Sequence, residues 1–63
     1  MATKAEQRAA TTARLIEVAR EQFTTRGYAE AATEEIVRLA GVTRGALYHH
    51  FGSKEGLFHA VLD

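Results

Sequence analysis

Arg44, Tyr48, His49 and His50 crowd one short stretch, and Lys54 follows, with no acid anywhere between residues 43 and 54. The arginine fork matches the O6 and N7 acceptors of guanine, and the phenol and imidazoles add stacking and hydrogen-bonding groups. The adjacent pair His49–His50 also raises a metal or acid–base reading. Consecutive helical residues diverge by about 100°, however, so two such imidazoles do not converge on one ion. His59 lies in a different segment, and no HExxH arrangement exists. A zinc finger of the usual kind needs thiolates, and the chain has no cysteine. Neither a glycine-rich phosphate loop nor a nucleophile triad is present, so no catalytic residue, metal ligand or cofactor is expected.

The body that must position these residues is small. At 63 residues the chain makes one domain and buries roughly 60% of its extended-state surface. Its hydrophobic fraction is 46%, but twelve of those residues are alanine, which leaves few large side chains for a core. Absence of cysteine excludes a disulfide-stapled secreted scaffold. No apolar run approaches the length of a membrane span, and residues 1–14 hold no hydrophobic signal core. The expectation is a reduced, cytoplasmic, helical domain with no membrane partner. Eight basic residues cancel eight acidic ones, so any anion-binding face has to be local. Residues 27–42 hold Glu30, Glu34 and Glu35 against Arg38 alone, which makes 43–54 the locally basic stretch.

Proline is absent, and glycine does the punctuation. Residues 1–12 read as a loose polar arm, rich in alanine and able to extend the first helix. From residue 10 to 26, Leu15, Ile16, Ala19 and Phe23 recur at helical spacing, with Val18 widening the stripe. Gly27 stands where a helix C-terminus favours a left-handed residue, and Tyr28 is the apolar residue that folds back. Thr33 is the expected N-cap of a second helix, with Glu34 and Glu35 in its first turn and Ile36, Leu39 and Ala40 on its inner face. Glu34 and Arg38 form an i,i+4 pair. Gly41 ends that helix, Thr43 caps a third through Phe51, and Gly52 ends it in turn. Ser53 caps a fourth, whose stripe is Leu57, Phe58, Val61 and Leu62. There are no repeats and no strand signals. The fourth stripe is wide for so small a body and runs off the end at Asp63, as expected of the N-terminal piece of a longer protein. Lys4, Arg8 and Arg14 are expected to be solvated.

Two short helices joined through Gly41-Val42-Thr43 carry the helix-turn-helix signature. Gly41 permits the sharp turn, and Val42 plugs the angle between the helices. Leu47 and Phe51, four apart, hold the second of these helices on the core. Gly45, Ala46 and His49 then point outward, with Tyr48 and His50 flanking them. That face suits a major groove, with Arg44 in the first turn where side chains reach base edges. The helix starts at Thr33 and Ser53 present backbone N–H groups and hydroxyls to phosphate, and Lys54 strengthens the second.

From Arg14 to Leu62 the chain resembles the DNA-binding domain of the tetracycline-repressor (TetR) family of bacterial transcription regulators. The residues that carry the resemblance are Phe23, Gly27-Tyr28, Ile36, Ala40-Gly41-Val42-Thr43-Arg44-Gly45, Leu47-Tyr48-His49-His50-Phe51, Ser53-Lys54-Glu55 and Leu57-Phe58. The resemblance implies an all-α, homeodomain-like three-helix bundle containing the helix-turn-helix, over residues 13–52. Residues 53–63 would begin a fourth helix, leading to a C-terminal domain outside this sequence that dimerises and binds a small-molecule inducer. By the family's pattern Arg44, Gly45, Tyr48 and His49 contact bases, while Thr33, Thr43, His50 and Lys54 contact phosphates, Tyr48 joining them. The partner implied is a double-stranded operator half-site, read by a dimer on a palindrome. The family commonly has Thr or Ser just before Thr33; here Ala31 and Ala32 stand there, which shifts the expected capping hydroxyl to Thr33. Glu34 lies near the expected phosphate path, and Val37 replaces a usual alanine. The neutral net charge supports one alternative, a small helical protein-interaction module that binds no nucleic acid.

Overall fold

Local capping chemistry divides the chain into four α-helices. The computed structural model describes residues 3–63; residues 1 and 2, the start of the expected arm, lie outside the described residues. The helices are α1 (Lys4–Arg26), α2 (Thr33–Ala40), α3 (Arg44–Phe51) and α4 (Lys54–Leu62), and no strand occurs among the described residues. The domain is all-α, as expected.

Residues 4–12 of the expected arm are helical and extend the first helix. The Thr3 hydroxyl accepts the Glu6 N–H at 3.1 Å and so caps the start of α1. Alanines 5, 9, 10 and 13 favour propagation. The hydroxyls of Thr11 and Thr12 donate back to the carbonyls of Gln7 and Arg8, which accommodates two β-branched residues within the helix. Residues 4–10 are all exposed, so this part of α1 projects beyond the core.

The core is built from one stripe of α1 and the inner faces of the other helices. Leu15, Ile36, Leu47 and Leu57 are fully buried, one from each helix, with Ala19, Phe23, Ala31, Val37 and Ala40 around them. α1 touches all three of the others. Val42 is half-buried against this cluster, as its place in the turn required. Gly41 adopts φ 72° and ψ 30°, the left-handed geometry that L side chains avoid, and its N–H returns to the carbonyl of Arg38.

Three expectations fail on α2. Its inner face is Ile36, Val37 and Ala40, and Leu39 is 41% exposed. The helix is therefore rolled so that Val37 takes the core position, which the larger side chain in place of alanine fills. The N-cap is Ala32, which has no side-chain acceptor, so Thr33 is the first helical residue and its hydroxyl caps nothing. Arg38 pairs with Glu35, one turn back, rather than with Glu34; its Nε donates to Glu35 Oε2 at 3.1 Å and its Nη2 bonds the other oxygen. That hydrogen bond holds the Glu35 carboxyl below the usual carboxylate range and raises Arg38. Its contribution is present above the ordinary carboxylate pKa and fades as acid protonates Glu35. Arg14 is exposed, as expected, and its side chain also reaches across to α2. Its Nε donates to the carbonyl of Ala40 at 3.1 Å, satisfying an end carbonyl of α2 and pinning α1 beside the 41–43 turn.

Candidate nucleic-acid interface

α3 is mounted by Leu47, which is fully buried, and by half-buried Phe51. Thr43 starts it: its hydroxyl oxygen accepts the Ala46 N–H at 3.1 Å, which leaves its own O–H to donate outward. With Leu47 turned inward, Arg44, Gly45, Tyr48 and His49 are all exposed. Ala46 and His50, one turn apart, are half-buried and together form one edge of that face, so Ala46 lies closer to the body than its angle alone suggested. The rings of His49 and His50 sit edge to face, centroids 5.2 Å apart.

Arg44 is not a lone charge. Its guanidinium carbon lies 5.7 Å from the centre of the Tyr48 ring, one helical turn on. Its Nη1 is 3.8 Å from Glu34 Oε1, across the helix-turn-helix on α2. The carboxylate that seemed misplaced on a phosphate path is therefore the counter-ion of the arginine on the face. Gly45 has open space: an added Cβ would meet only the Thr43 hydroxyl, at 3.9 Å. Gly45→Ala is expected to raise stability by about 0.5–1 kcal/mol, since alanine loses less backbone entropy in a helix. Thermal unfolding followed by circular dichroism checks this; a lower midpoint would mean the site is tighter than its geometry.

The remaining expected residues flank this face. Thr33 is half-buried at the start of α2. Ser53 caps α4, its hydroxyl accepting the Gly56 N–H at 2.9 Å. Lys54, the first residue of α4, carries its ammonium 4.6 Å from the centre of the Tyr28 ring. The Tyr28 ring packs against Phe23, tilted, and against Phe58, edge-on, with centroids 5.6 and 5.0 Å apart. The pairing of Glu34 with Arg44 and of Tyr28 with Lys54 was not legible in the sequence, because each partner lies on another element.

An exposed polar helix face held by a glycine turn against a second helix defines a helix-turn-helix domain. The family model for bacterial regulatory proteins of the tetR family matches residues 15–61. The chain belongs to this TetR family. It is 47% identical over 58 residues to the HTH-type transcriptional regulator TtgR of Pseudomonas putida, covering 92% of this chain and 28% of that protein. It is 42% identical over 50 residues to the HTH-type transcriptional regulator QacR of Staphylococcus aureus, covering 79% and 27%. With the HTH-type transcriptional repressor AcnR of Corynebacterium glutamicum it shares 43% over 47 residues, covering 75% and 25%. The chain thus spans 25–28% of the length of these relatives.

Proposed function

We propose that this domain is the operator-reading head of a ligand-responsive transcriptional repressor. α3 enters the major groove, where Arg44, Gly45, Tyr48 and His49 meet base edges. Thr33, Thr43, His50 and Lys54 bond the flanking phosphates. Two heads, paired through a C-terminal domain that binds a small-molecule inducer, occupy the halves of a palindrome in the cytoplasm. The observation that carries this reading is the single exposed face of α3, with its arginine in the first turn and its tyrosine one turn later. Membership of a family of bacterial regulators supports it, as does the repressor among its relatives. No helix among the described residues is long and apolar enough to cross a membrane.

The test is an amide NMR titration of the chain with a short duplex at low salt. Shifts confined to residues 33–34, 43–50 and 53–54, reversed as salt rises, are the expected result. A folded spectrum that stays unmoved at millimolar duplex would sink the reading and favour a protein-interaction module. Glu34 supplies a second prediction, because its carboxylate both neutralises Arg44 and repels phosphate. Glu34→Gln is expected to tighten binding to an arbitrary duplex by about 1.4- to 5-fold, the equivalent of a surface pair worth about 0.2–1 kcal/mol. Fluorescence anisotropy at fixed salt measures it, and unchanged or weaker binding would separate Glu34 from the interface.

A further inference from the structure

We propose that Tyr28 is a positioning residue for the phosphate contact of Lys54, holding the lysine ammonium over its ring without consuming any of its N–H donors. The inference rests on the DNA-binding reading above and adds to it a residue outside the helix-turn-helix. Tyr28 follows the glycine that ends α1, and its ring is fixed by Phe23 of α1 and Phe58 of α4, whose own rings are 5.2 Å apart. It nevertheless stays 40% exposed, so part of the ring remains open to solvent. The Lys54 Nζ sits 4.6 Å from the ring centre, inside the range of a cation–π contact. No carboxylate lies within ion-pair distance of Lys54 among the described residues, in contrast to Arg44 with Glu34 and Arg38 with Glu35.

That contrast carries the argument. A carboxylate partner neutralises a cation and takes its donors, so the cation must be released before it can bind phosphate. An aromatic face attracts the same cation through its quadrupole and takes no hydrogen bond. The ammonium keeps its full charge and its three donors. Lysine otherwise loses the freedom of a four-carbon stem when it meets a phosphate. Over the Tyr28 ring that loss has already been met in the unbound protein. Phenylalanine offers the same face; leucine offers none.

The experiment combines NMR of the chain with binding to a 20-base-pair duplex of arbitrary sequence at low salt. In the parent, the Lys54 methylene protons next to the ammonium are expected upfield, under the ring current of Tyr28. Tyr28→Phe keeps that shift and the affinity. Tyr28→Leu loses the shift and weakens binding by about 2- to 5-fold, the size of an exposed cation–π contact. In a Lys54→Met background Tyr28→Leu then costs no further affinity. The methyl resonances of Ile36 and Leu57 report whether Tyr28→Leu keeps its fold, and the parent's Lys54 shift tests the contact with no substitution at all. Lys54 methylene protons at their ordinary position overturn the proposal. So does an equal loss from Tyr28→Leu with and without Lys54, which would mean that the ring acts through packing alone while the DNA-binding reading stands. A parent chain that leaves the duplex unbound overturns that reading, and the proposal with it.

Discussion

Arg44→Ala and Tyr48→Ala are each expected to abolish sequence-selective binding while leaving the fold intact. Both side chains are exposed, and neither belongs to the buried cluster. Removing either opens no cavity and strands no polar group, so thermal midpoints should move little. An arginine fork on a base edge is worth about 1–3 kcal/mol of discrimination, which corresponds to roughly 5- to 150-fold in preference for the right base. Tyr48 adds its own contacts and also the ring beside the Arg44 guanidinium. The double variant should therefore lose less than the product of the two single losses. Selection from a pool of duplexes randomised over one half-site, read by sequencing the bound fraction, measures the preference directly. If either variant selects the same sequences as the parent with equal strength, α3 does not read bases.

Gly56→Ala is expected to destabilise the domain by about 2–3 kcal/mol. Gly56 lies in the first turn of α4, and an added Cβ would stand 2.1 Å from the carbonyl oxygen of Phe51 and 3.2 Å from its carbon. Both atoms are backbone, so no side-chain rotation relieves the clash. Either α4 or the end of α3 has to move, and the two are packed together. Overpacking costs about 1–3 kcal/mol and more where the backbone must shift, against a gain of roughly 1 kcal/mol from alanine's helix propensity. A net loss of about 2–3 kcal/mol removes much of the stability of a domain this small, about 3–9 kcal/mol at the usual per-residue figure. Urea unfolding followed by circular dichroism gives the value. A midpoint equal to the parent's would show that α4 can slide along α3 at little cost, and Gly45→Ala serves as the permissive control.

The sequence by itself determined what depends on residues within about one helical turn of each other. The stops at Gly27, Gly41 and Gly52, the caps at Thr43 and Ser53, and the inward stripe of Leu15, Ala19 and Phe23 all follow from period and capping chemistry. The outward face of α3 follows as well, because burying Leu47 leaves Arg44, Gly45, Tyr48 and His49 outside. Only the tertiary structure decided which groups meet between helices. Glu34 has a cation at Arg38 within its own helix, yet the crossing of α2 and α3 brings it Arg44 instead. Arg14 finds the Ala40 carbonyl 26 residues away, Lys54 finds the Tyr28 ring, and Gly56 is required by a carbonyl five residues back on a different helix. Long flexible side chains have many partners of matching charge or shape within reach of the unfolded chain. The angles at which the helices pack select one of them, and helical periodicity carries no record of those angles.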